Sequence, residues 1–138
     1  MSVFQRSAAG AIRSRVREFL KTFAGAPPTP EESRIRLEFI QRARSELVAG
    51  QGDLLRLLAP TAAADALGDS DRIAAYAETL AAEAMINDAA GQRERAEAIR
   101  RNAVAIAREA RRRTVAPDIE LDQLIAHDGH LDRSRDAR

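Results

Sequence analysis

Apolar residues return every three or four positions along most of this chain, and the breaks in that rhythm divide it into helices. In the opening "MSVFQRSAAGAIRSRVREFLKTF", Phe4, Ala8, Ile12, Val16, Phe19, Leu20 and Phe23 fall on one helical face. Arg6, Gly10, Arg13, Arg17 and Lys21 fall on the other, so the pattern predicts a basic amphipathic helix over residues 1–24. "AGAPPTP" ends it, because adjacent prolines remove backbone donors and fix φ. In "TPEESRIRLEFIQRARSELVAG", Thr29 is positioned to cap, Pro30 suits the first helical position and Glu32 completes a capping box. Ile35, Leu37, Ile40, Ala43, Leu47 and Val48 supply the apolar face, and Gly50 the stop.

Two short helical pieces follow, "GQGDLLRLLAP" behind an Asp53 cap and "TAAADALG". Residues 71–89 then read as a long helix with acidic residues in its first turn, where the helix dipole favours them. Ile73, Ala77, Leu80, Ala81 and Ala84 form a narrow face of small residues. Residues 92–113 follow almost at once, with Ala96, Ile99, Ala103, Ile106 and Ala110 on one side. So short a connection predicts an antiparallel helical hairpin. Pro117 ends the run, and the cluster Ile119, Leu121, Leu124 and Ile125 precedes a polar tail. The expectation is an all-α small helical bundle, organised as the N-terminal helix 1–24, a helical core over 29–116, and a short helix with tail over 117–138.

Within the hairpin, "GQRERAEAIRRNAVAIAREA" resembles the second half of a tetratricopeptide repeat of the kinesin-light-chain type. Gly91 matches the turn, and Ala96, Ile99, Ala103 and Ile106 match the packing positions of the second helix. The preceding helix departs from the pattern, with Glu83 and Ala84 where a Leu-Ala pair belongs, and no second copy follows. A lone repeat has no neighbour with which to share a core, so the stretch is read as a helical hairpin.

Composition thins the expected core. Ala supplies 29 of the 62 hydrophobic residues, which leaves 33 larger apolar side chains, with four Phe, one Tyr and no Trp. Alanine favours helix but buries little area. Such a chain gains stability from a partner, and the Phe-rich opening helix is the natural place to dock one. The partner-binding face is accordingly assigned to Phe4, Ile12, Val16, Phe19 and Phe23.

Charge changes the picture again. The net charge is only +1, yet residues 1–24 carry +4, 69–92 carry −4, 93–113 carry +5 and 114–138 carry −3. Neighbouring blocks of opposite sign are expected to neutralise one another, the acidic helix lying beside the basic one. The alternative is a phosphate-tracking surface on the Arg-rich helix 93–113. Its possible phosphate-binding residues are Arg100, Arg101, Arg108, Arg111, Arg112 and Arg113.

Catalytic chemistry has little to stand on. Cysteine is absent, which removes disulfides, thiolate nucleophiles and Cys-ligated metals. His127 and His130, with Asp128 and Asp132, have the spacing of a metal pair, but Gly129 breaks any helix that would align them. Lys21 lacks the glycines of a phosphate loop, and no serine has the flanks of a nucleophile elbow. No cofactor or metal is expected.

No run approaches the roughly 20 apolar residues that span a bilayer. A membrane-surface helix or a mitochondrial-type targeting segment are the alternatives for residues 1–24, since Arg and Ser are plentiful there and 1–17 contain no acid. The reading is a non-catalytic helical adaptor or assembly subunit that binds a protein partner or a second copy, with nucleic acid and a membrane surface as alternative partners. The expected location is the cytoplasm, with the mitochondrial matrix or the inner face of a membrane as alternatives.

Overall fold

The computed structural model describes residues 2–23, 26–48 and 52–126, with side chains described for 8–23, 26–48 and 54–126. These residues form seven helices and no strand: α1 (Ser2–Lys21), α2 (Pro30–Val48), α3 (Gly52–Leu57), α4 (Pro60–Leu67), α5 (Ser70–Ala89), α6 (Arg93–Arg112) and α7 (119–126).

The helix ends follow local chemistry. The Thr29 hydroxyl accepts from the Glu32 N–H at 3.1 Å and the Glu32 carboxylate accepts from the Thr29 N–H at 3.2 Å. This is the reciprocal capping box that starts α2. Asp69 caps α5 by accepting from the Asp71 N–H, and Asp118 opens α7 by accepting from the Leu121 N–H at 3.1 Å. α3 begins at Gly52, which places Asp53 inside its first turn. α4 starts with Pro60 at its first position and stops at Gly68, whose φ of +82° is one that glycine adopts without strain. Gly91, at φ +83°, turns α5 into α6 in the same way.

α5 is the hub. It packs along its length against α6 as an antiparallel hairpin, takes α1 and α2 on other sides, and α4 closes over α6. The narrow small-residue face expected of α5 is therefore too narrow: burial runs nearly round the helix, taking in Ala74, Ala75, Tyr76 and Ala82 as well as Ile73, Ala77, Leu80 and Ala84. A helix buried on all sides loses its one-sided pattern, and its many alanines let three neighbours approach it closely. From α6, Ala96, Ala103, Ile106 and Ala110 are buried, and Ile99 is half-buried against the core.

α7 closes the open side. Leu121 is buried and Leu124 and Ile125 pack against the core, whereas Ile119, grouped with them by spacing, is 69% exposed. On α2, Ile40, Ala43, Leu47 and Val48 point inward and Leu37 is half-buried. Arg44 shares this buried side although the pattern gave it none, and Ile35 is turned outward.

Candidate docking site

The N-terminal face divides into two parts. Ala9, Ile12 and Val16 are buried by the chain itself, as α1 lies against α5. Ile12 and Val16 are thus unavailable to a partner or a lipid surface, which corrects their assignment to the docking face. The physical reason is that α5, packed along α1, supplies the cover that a thin core was expected to lack. The Phe4 side chain lies outside the described residues.

Phe19 and Phe23 are only half-buried, and here the structure adds a residue that periodicity missed. Phe39 of α2 stacks on Phe19 with ring centroids 4.0 Å apart and an interplanar angle of 19°. Phe23 meets Phe19 edge-on at 5.2 Å, and the Arg36 guanidinium sits 4.0 Å above the Phe23 ring. Phe39 stays 37% exposed and Ile35, one turn before it, 53% exposed. The last turn of α1 and the middle of α2 therefore form one aromatic corner, edged by Ile35 and Arg36. Periodicity grouped Ile35 with the inward face of α2 and left Phe39 out, whereas both lie four apart on its outer side; that spacing was the available signal.

The basic and acidic blocks do neutralise one another, but not in the expected pairs. The acids of α5 bolt on α1, α2 and α3, whereas α6 finds its carboxylates elsewhere. Glu78 is bonded by Arg13 and by Arg17, the latter at 3.2 Å, so two arginines one turn apart on α1 converge on one carboxylate. Burial pushes the Glu78 carboxyl above its usual range, and the two guanidinia only partly offset that. Arg13 also reaches Asp118 at 2.9 Å. Burial alone would raise the Asp118 carboxyl too, but the hydrogen bonds from Arg13 and the Leu121 N–H outweigh it and hold it below its ordinary value.

On another side of α5, Glu83 receives Arg44 of α2 at 2.7 Å and Arg56 of α3 at 2.9 Å. Arg44 donates as well to the Thr79 hydroxyl at 3.0 Å and the Thr79 carbonyl at 3.2 Å. The neighbouring Tyr76 ring lies 5.8 Å from the Arg44 guanidinium, and its buried hydroxyl has no hydrogen-bond partner among the described residues.

The candidate phosphate-binding arginines are dispersed. Arg113 bonds Asp65 of α4 at 2.6 Å and Glu109 at 2.6 Å; Arg112 also bonds Glu109. Arg111 is 3.3 Å from Asp122 of α7 and donates to the Ala116 carbonyl at 2.9 Å. The hydrogen bonds from Arg113 and the Thr61 hydroxyl keep the Glu109 carboxyl below its usual range. Arg101 and Arg108 are exposed on α6, and Arg100 faces a cleft of about 460 Å³ bounded by α1, α5 and α7. The structure thus does not bring the six arginines together into one surface.

No group of three or more metal-ligating side chains occurs among the described residues, and His127 and His130 lie outside them. No described helix is long and apolar enough to cross a membrane. No protein-family model, curated protein or solved structure matches the chain. The likeness around Gly91 to a tetratricopeptide repeat accordingly rests on the hairpin alone.

Proposed function

We propose that this protein is a non-catalytic helical adaptor or assembly subunit that docks another protein through the aromatic corner of α1 and α2. One observation carries the reading: Phe19 touches both Phe23 and Phe39, and all three stay partly open to water, with Ile35 one turn from Phe39. Clustered aromatic side chains bring large contact area at low conformational cost, and they concentrate binding energy at protein interfaces. A contiguous apolar patch is also more telling than apolar residues scattered singly over a surface. The reading places the protein in the cytoplasm, which suits a chain without cysteine. The nucleic-acid alternative retains exposed Arg101 and Arg108, but Arg111, Arg112 and Arg113 already answer the protein's own carboxylates.

The test compares quantitative affinity purification with the wild type and with Ile35→Ser/Phe39→Ser. Proteins enriched by the wild type should be lost from the variant, while its helical content is unchanged. A partner that survives both substitutions, or no partner at all, refutes the reading.

A further inference from the structure

A second site lies away from the aromatic corner, in a cavity of about 210 Å³ where α3, α5 and α6 meet. Its walls carry Arg56 from α3, Glu83 from α5, and Arg95, Ala98 and Asn102 from α6, over an apolar floor of Leu80 and Ile99. Arg95, Ala98, Ile99 and Asn102 are spaced by three, four and seven residues, so one face of α6 presents both polar groups to the cavity.

Charge decides what such a cavity accepts. Glu83 is the single carboxylate on its walls among the described residues, and buried Arg44 already answers it at 2.7 Å. With that pair closed, Arg56 and Arg95 leave the cavity with two positive charges. Among the described residues Arg56 holds Glu83 through Nη2 alone, which leaves its Nε and Nη1 donors for a ligand. Arg95 enters no ion pair or side-chain hydrogen bond among the described residues. The Asn102 amide adds two more donors. Forked guanidinium donors with a neighbouring amide match a tetrahedral oxyanion, to which arginine bonds in bidentate fashion. A water molecule occupies about 30 Å³ of liquid, so the volume holds a phosphoryl group with space left over the apolar floor.

We propose that this cavity binds a phosphate group, gripped by Arg56, Arg95 and Asn102. The source is either inorganic phosphate or a small organic phosphate monoester whose body lies on Leu80 and Ile99. The site is independent of the docking face, because the cavity shares no residue with the aromatic corner.

The test is a titration of the full chain with inorganic phosphate and, separately, phenyl phosphate in chloride buffer, followed by ¹⁵N NMR of arginine Nε and asparagine side-chain signals. Saturable shifts at Arg56, Arg95 and Asn102 are expected. Arg95→Ala removes an exposed side chain, so it should leave the melting midpoint in place and weaken binding about ten-fold or more. Arg95→Lys should restore only part of it, as an ammonium lacks the fork. Tighter binding of phenyl phosphate assigns an organic monoester; equal binding assigns inorganic phosphate. Shifts spread evenly over all surface arginines, no saturation with either probe, or an unchanged affinity in Arg95→Ala overturns the proposal.

Discussion

Replacing Glu83 by Gln removes a charge from the middle of the bundle while keeping the shape of the side chain. The Glu83 side chain is only 4% exposed and that of Arg44 5%, at 2.7 Å from each other, so this pair is closed to water. Arg56, 41% exposed, can turn into solvent when its partner loses charge, at little cost. Arg44 has no such exit. Its bonds to Thr79 persist, yet its charge stays buried with no counter-charge, which costs about 3–5 kcal/mol. Against a total stability of roughly 5–15 kcal/mol, that is a large fraction. At about 3–5 °C per kcal/mol for a chain of this size, the melting midpoint should fall by roughly 10–20 °C. The double change Arg44→Met/Glu83→Leu should recover most of the loss, because it removes both charges and leaves an apolar contact. Thr79 still has a partner there, since its hydroxyl donates to the Tyr76 carbonyl at 2.7 Å. Urea unfolding followed by circular dichroism at 222 nm measures all three proteins, and the slope with denaturant should stay constant. A loss below about 1 kcal/mol in Glu83→Gln, or a double variant as unstable as the single, refutes the reasoning.

Two further outcomes test the fold. Ala103 is fully buried at the seam of α5 and α6, so Ala103→Leu should overpack it and cost about 1–3 kcal/mol; an unchanged melting midpoint would contradict that packing. In acid, Glu109, Asp118, Glu31 and Glu32 have carboxyls held below their usual range, so each favours the fold above about pH 4 and loses that contribution as pH falls through its depressed value. Glu78 has the opposite sign, because its raised carboxyl disfavours the fold only once pH rises far enough to ionise it. Four groups against one predict a melting midpoint that drops between about pH 4.5 and 3, with a shallower drop in Glu109→Gln. Parallel pH curves for the two proteins would show that Glu109 is not among the groups responsible.

The features legible along the chain are those whose causes lie within a few residues. The capping box of Thr29 and Glu32 and the turn at Gly91 depend on side chains and φ angles one turn away. The hairpin of α5 and α6 follows from two periodic segments and the shortness of the link between them. Tertiary structure decided the rest. Arg13 meets Glu78 and Asp118, 65 and 105 residues away, because α1 docks on α5 at a particular azimuth with α7 folded alongside. A charge-block count cannot supply that angle, and so it paired α5 with α6 when α5 instead binds the arginines of α1, α2 and α3. The same docking buries Ile12 and Val16, while Phe39 becomes part of an aromatic corner because α2 lies against the end of α1. Periodicity identifies which side chains share a face of one helix; which helix covers that face is set by long-range packing among all seven.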